Sequence, residues 1–348
     1  MLGKLRIKQF ILLLLCVIGL VSCKFERILP QNYEQIEKNF IQGNYTEVIN
    51  LLNDDAISHK EKTDWYYFFY GASLYEISQS NSKDALRYLK IANSYNNKDY
   101  NISFYLGKVY WDIKNYKKAA FYFEKCLTKE LKNAKHGTDE AIIWLLLSEL
   151  KLDTFNYDKF VQKNNCTEIE LIKLFLSRLQ SGNLESGDIL YFIHDTSLTD
   201  REKLLLIDEL INTLEDKEKL IEELYNQNIP ELYKEYFGSR LLYYKLNDKR
   251  DCDNLIKQLN SSGDDSFVIL NSSEYLVWEY FEKYCAFYYW LCEDYRRTNL
   301  STQNYYNIKL RNSSFTIEYS YDLKLFFKEF KKDREFKEIQ KYKESYLN

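Results

Sequence analysis

The chain is short of the residues that most nucleotide-binding and metal-binding folds need. It has 10 glycines, 2 prolines and 3 histidines in 348 residues. The scattered glycines form neither GxGxxG nor GxxxxGK[ST], so the backbone cradles that hold dinucleotides or phosphates are missing. His59, His136 and His194 lie far from any cysteine in sequence and no CxxC occurs, which leaves zinc without support. An excess of positive charge is also lacking. Lysine and arginine total 48 against 52 acids, a net charge of −4, so nothing electrostatic calls for nucleic acid.

What is present is apolar and aromatic. Hydrophobic residues make up 45 %, with 32 tyrosines and 21 phenylalanines, which excludes a disordered chain. The length fits two domains or one extended repeat array. Adjacent carboxylates at Glu222-Glu223, Asp264-Asp265 and Glu293-Asp294 invite an acid–base reading, but neighbours on a helix point about 100° apart and do not face each other. His194-Asp195 has no GxSxG or activated cysteine beside it. The expectation is therefore a non-enzymatic protein with no cofactor and no metal.

Residues 1–22 have the layout of an export signal. Lys4, Arg6 and Lys8 form a basic start, Phe10 to Val21 an apolar stretch too short to span a bilayer, and Ser22 precedes Cys23. Leu20-Val21-Ser22-Cys23 resembles the lipobox of bacterial lipoproteins. That resemblance implies cleavage before Cys23, diacylation (palmitate-type chains) at Cys23, and attachment to a membrane. Residues 23–33 form a short tether, so the body rides close to the bilayer. Lys24 follows the cysteine, without the aspartate that the resemblance associates with inner-membrane retention, which favours the outer membrane, and the short tether favours its periplasmic face over the cell surface. Of the remaining cysteines, Cys285 and Cys292 stand about 10.5 Å apart along an intact helix, too far to bridge. Buried thiols are expected instead.

A repeat occupies residues 34–165. Ala85 and Ala119, Leu89 and Phe123, and Ala92 and Cys126 are each 34 residues apart. Each set follows an aromatic helix with a small residue inside it, Gly71 and Gly107, and the turn Lys114-Asn115-Tyr116 leads into the second set. Gly43-Asn44-Tyr45 and Asn156-Tyr157 repeat that turn in degenerate form. The pattern resembles the tetratricopeptide repeat, a helix–turn–helix unit whose small residues let paired helices pack closely. The resemblance implies an all-α solenoid in which the first helix of each unit projects side chains into a groove. Carried onto this chain, those positions are Trp65, Phe68, Ala72 and Tyr75, then Asn101, Phe104, Lys108 and Trp111, then Ile142, Leu145 and Glu149. The partner implied is an extended peptide or another envelope protein.

From residue 166 to 348 the 34-residue phase is lost while helical patterning continues. Thr199 to Glu202 is a capping box, Pro230 opens a helix running to Tyr244, and Ser272 to Tyr295 is a long buried aromatic helix. Residues 261–265 and Asn299 to Gln303 read as loops, and Tyr321 to Tyr346 as one charged surface helix. Together these features predict a membrane-anchored lipoprotein scaffold in the bacterial cell envelope. An envelope protein that captures a glycan or peptide, or a surface antigen, is the alternative.

Overall fold

The computed structural model describes residues 31–53, 62–77, 82–127, 137–152, 155–164, 170–261, 274–310, 321–341 and 343. Residues 1–30, with the expected signal segment, Cys23 and most of the expected tether, lie outside the described residues, as do Cys166, residues 262–265 and residues 311–320. Among the described residues the chain is all-α and no strand occurs.

The first helices are α1 (Tyr33–Ile41), α2 (Tyr45–Leu52), α3 (Asp64–Ile77), α4 (Ser82–Tyr95), α5 (Tyr100–Asp112), α6 (Tyr116–Leu127) and α7 (Gly137–Leu150). Each packs against the next, and the odd-numbered helices also touch one another in series, α1 on α3, α3 on α5 and α5 on α7. Such neighbour-only stacking is a solenoid. Close approach within hairpins depends on two glycines. A Cβ on Gly71 would sit 2.9 Å from the Leu89 side chain and 3.1 Å from backbone atoms of α4. One on Gly107 would sit 2.6 Å from the Phe123 ring.

The second stretch contains α8 (Tyr157–Asn164), α9 (Glu170–Ser181), α10 (Ser186–His194), α11 (Asp200–Thr213), α12 (Glu218–Tyr225), α13 (Glu231–Lys245), α14 (Lys249–Ser261), α15 (Glu274–Leu291), α16 (Tyr295–Leu310), α17 (Lys324–Phe330) and α18 (Arg334–Gln340). Helix α11 is the hub: α7, α9 and α10 all pack on it. Its start shows both bonds of the Thr199–Glu202 capping box. Beyond it α12, α13 and α14 stack in turn, α13 also touches α15, and α15 pairs with α16. One hydrophobic core runs without a break from Tyr75 to Ile339, crossing the change of sequence pattern near residue 165, and a smaller one joins α1, α2 and the start of α3.

Three sequence expectations are corrected here. Asn299 to Gln303 is not a loop but the middle of α16. Its polar residues are compatible with a buried helix because Thr298 and Thr302 hydroxyls donate to the carbonyls four residues back, at 2.8 and 2.7 Å. The long aromatic helix ends at Leu291 rather than Tyr295. The C-terminal helix is two short ones, because the Asp333 side chain accepts from the Phe336 N–H at 3.1 Å and caps a new start.

A further finding is that the repeat turn recurs where the 34-residue phase is lost. Lys114 and Glu293 both adopt left-handed backbone, with φ of 59° and 58°. The hydrogen-bond pattern around them is the same: Asn115 N–H to Tyr110 O at 2.8 Å corresponds to Asp294 N–H to Tyr289 O at 2.9 Å. Ala119 N–H to Asn115 O at 3.0 Å corresponds to Thr298 N–H to Asp294 O at 2.9 Å. In this register Trp290, Ala286, Thr298 and Thr302 stand where Trp111, Gly107, Ala119 and Phe123 stand, and all eight are buried.

The described cysteines, Cys126, Cys252, Cys285 and Cys292, are thiols. Burial pushes the Cys252 and Cys285 thiols far above the usual range, so both stay protonated and inert.

Candidate functional site: a groove on the first helices

A groove of about 490 Å³ is built from odd-numbered helices alone. Helix α1 supplies Glu37, Phe40 and Ile41, and α3 supplies Phe68 and Phe69. Helix α5 supplies Tyr100, Asn101, Phe104, Tyr105 and Lys108, and α7 supplies Glu140. The periodicity explains this choice. Residues four apart on one helix face, such as Tyr100, Phe104 and Lys108, rise toward the same side. The even-numbered helices carry small residues against their partners and stay out of the groove.

Phe40, Phe68, Phe69 and Tyr105 form a contiguous aromatic wall. Phe40 meets Phe69 at 5.1 Å, Phe68 at 5.7 Å and Tyr105 at 6.2 Å between ring centroids. Such tilted and edge-on pairs are the favoured aromatic geometry. Ile41 stands at the rim with 79 % of its surface exposed, an apolar side chain left uncovered.

Lys108 is the cation of the groove. Its ammonium lies 5.6 Å from the ring centroids of Tyr75, Phe104 and Tyr105 and 5.9 Å from Trp144. It also pairs with Glu76 at 3.6 Å. Acids outnumber it. Burial, reinforced by the neighbouring Glu202 carboxylate and opposed by Lys108, pushes the Glu140 carboxyl up to about 8, so it holds a proton at neutral pH. Burial near Glu76 pushes the Tyr105 phenol well up as well. The groove is therefore aromatic, with one ion-paired lysine, one protonated carboxyl and the exposed Glu37 at its edge.

Of the seven partner-binding residues expected from the sequence, Phe68, Asn101, Phe104 and Lys108 come together in this groove. Trp65 lines a smaller adjoining hollow with Glu37 and Phe68, but only 2 % of it is exposed and it packs edge-on against Tyr33 at 5.5 Å. Tyr75 and Trp111 do not line the groove. Tyr75 is buried because its hydroxyl is used inside: it donates to Asp112 Oδ2 at 2.7 Å and accepts from Arg201 Nη1 at 2.8 Å. Trp111 is buried against Trp144 and Tyr116. Ala72, Ile142 and Leu145 are also interior.

Seven lining residues, Phe40, Ile41, Glu37, Phe69, Tyr100, Tyr105 and Glu140, were missed, the first three on a helix from which no groove residue was expected. Counting back from the turn residue gives a signal for two of them. Glu37 lies six residues before Gly43 as Lys108 lies six before Lys114, and Phe40 lies three before Gly43 as Trp111 lies three before Lys114.

Two buried polar nodes flank this region, both on α11. In the first, the Arg201 guanidinium is ion-paired with Asp112 and stacks over Trp144 at 5.0 Å. In the second, Asp208 Oδ1 accepts from Arg240 at 2.7 Å and from the Tyr236 and Tyr280 hydroxyls at 2.8 Å each. Burial disfavours the charged arginines but their partners hold both protonated, while burial, reinforced by the Asp208 charge, pushes the Tyr236 and Tyr280 phenols well up. Among the described residues no group of three His, Cys, Asp or Glu is placed to hold a metal ion, and no helix is long and apolar enough to cross a membrane.

Comparison of the chain with protein families, with curated proteins and with solved structures gives no match.

Proposed function

We propose that the protein is a binding scaffold whose odd-numbered helices grip an extended peptide or a helix of another protein, and that a lipid on Cys23 holds it to a bacterial membrane as part of an envelope complex. The observation that carries the binding reading is the groove itself, an aromatic-walled trough drawn from four successive first helices with an uncovered Ile41 at its rim. Rigid aromatic walls give large contact area at low entropic cost, and a few polar groups fix register. The Leu20 to Cys23 segment supports the anchoring reading, with the outer membrane favoured. The balance of 48 basic against 52 acidic residues gives no electrostatic support to a nucleic-acid partner.

Site-specific photocrosslinking in cells tests this. A photoreactive residue at Asn101, inside the groove, is expected to trap a discrete protein. The same residue at Phe121, 58 % exposed on α6 and outside the groove lining, is expected not to. Equal trapping from both positions, or none from Asn101, removes the binding reading. Cys23→Ala is expected to release the protein from the membrane fraction and abolish fatty-acid labelling, and an unchanged distribution removes the anchoring reading.

A further inference from the structure

A second cavity lies at the junction of the two stretches, away from the groove. It has a volume of about 220 Å³ and takes its walls from the α5–α6 turn, the end of α7, and α11, α15 and α16. Most of its lining charges are already matched. Asp112 pairs with Arg201, Lys151 with Glu209, Asp208 with Arg240 and Lys309 with Glu329. A net-charged ligand therefore has no buried counter-charge waiting for it, and burying one unpaired would be costly.

Two lining charges have no ion-pair partner among the described residues, and they are of opposite sign. Lys114 sits on the α5–α6 turn, held in left-handed backbone although it is not glycine, a conformation that costs about 1–2 kcal/mol. Glu279 comes from α15, and its charge bears on the Tyr116 phenol. On the Lys114 side there is a second donor. The Trp111 indole N–H is buried with no acceptor among the described residues, and Trp111 is 8 % exposed on the same cavity wall. A buried orphan donor costs about 1–3 kcal/mol unless something accepts from it. Leu204, Leu205, Leu276 and Ile308 also line the cavity.

We propose that this cavity binds a small zwitterion, a free α-amino acid with an apolar side chain. Its carboxylate is received by Lys114 and the Trp111 indole N–H, its ammonium by Glu279, and its side chain by the leucine-rich wall. The site stands independently of the groove and of any partner bound there. Its volume lies below the roughly 300 Å³ at which pockets for drug-sized ligands begin, which suits a single amino acid rather than a peptide.

Isothermal titration of the full-length chain in detergent tests the assignment with L-leucine and L-phenylalanine as probes. Leucinamide, which lacks the carboxylate, 4-methylpentanoic acid, which lacks the ammonium, and D-glucose serve as comparators. The expected result is saturable binding of at least one amino acid with a Kd below about 1 mM. Each single-charge analogue is expected to bind at least tenfold more weakly, and glucose not at all. Lys114→Gln and Glu279→Gln are each expected to weaken binding at least tenfold while leaving helical circular dichroism unchanged. Lys114 is exposed and Glu279 half-buried, and neither belongs to the buried nodes, so the helical fold is expected to survive either change. Leu205→Trp, which fills the cavity, is expected to abolish binding. The proposal is overturned if neither amino acid saturates, if glucose or an analogue binds as well as leucine, or if affinity ignores both glutamine substitutions.

Discussion

The hairpin of α5 and α6 and the hairpin of α15 and α16 share one turn geometry and one register, yet only the first is visible in the sequence. In the first, Gly107, Asn115 and Ala119 are small or turn-forming residues. In the second, Ala286, Asp294 and Thr298 do the same work by other means. The Asp294 carboxylate accepts from the Arg297 N–H at 3.0 Å as the Asn115 amide oxygen accepts from the Lys118 N–H at 3.3 Å. The Thr298 hydroxyl satisfies itself on the Asp294 carbonyl, so a polar residue occupies a helix-packing position that elsewhere holds alanine. A repeat is thus a set of geometric jobs, and a consensus pattern records only one way of filling them.

The two stretches also differ in how they are joined. The first hairpins are held by apolar and aromatic contacts between neighbours, whereas the junction at α11 adds buried ion pairs to the shared apolar core. The largest expected effect comes from breaking these. Asp112→Ala strands the Arg201 charge in the interior and is expected to cost about 3–5 kcal/mol. Asp208→Ala, which leaves Arg240 and two tyrosine hydroxyls without their acceptor, is expected to cost at least as much. Urea unfolding followed by circular dichroism measures both. A loss under 1 kcal/mol for either would mean that the junction is a surface contact rather than a lock.

Next in size is the packing test. Gly107→Ala drives a methyl into the Phe123 ring and is expected to cost about 1–3 kcal/mol, recovered in part by the further change Phe123→Leu. Ala286→Gly, at the equivalent place, is expected to cost only about 0.5–1 kcal/mol, the helix-interior penalty of glycine. Equal costs would show that the two helix pairs are equally tight.

A smaller test addresses the shared turn. Lys114→Gly and Glu293→Gly both release a left-handed side chain, and each is expected to raise stability by up to about 1 kcal/mol. Matching gains in thermal unfolding sharpen the equivalence, and opposite signs break it.

The last concerns pH. Burial pushes Glu140 up to about 8 and Glu282 up to about 7 from an ordinary 4.5. Each folded carboxyl therefore keeps a proton that the unfolded chain releases. Stability is expected to fall as pH rises from about 4.5 and to level off above about 8. Glu140→Gln should remove the fall between about 7 and 8 and lessen the slope below 7, and Glu282→Gln should lessen the slope only up to about 7, read as melting temperature against pH. Parallel curves for wild type and both variants would show that neither carboxyl is protonated in the fold.

Much of the architecture was legible because α3 to α6 fill their positions with the common residues. Four of the seven expected partner-binding residues share the groove because helical spacing alone puts them on one face. Tyr75 and Trp111 obey the same spacing, but their surroundings are set by Arg201, which lies 126 residues from Tyr75 and 89 from Asp112. No local pattern announces a contact of that separation. The cavity beside Lys114 was invisible for the same reason, since its walls come from five helices distant in sequence.

That separation has a consequence for the order of events as the chain folds. Contacts between sequence neighbours close quickly, and distant ones wait on loop closure. A chain emerging from its N-terminus pairs α3 with α4 and α5 with α6 early, while the Tyr75 hydroxyl and the Asp112 carboxylate remain without their guanidinium until α11 has been delivered. The first hairpins therefore pass through a period in which an acidic, hydrogen-bonding notch is open to water. Arg201 thus ties the Tyr75 and Asp112 ends of two neighbouring hairpins to a helix that is made much later in the chain.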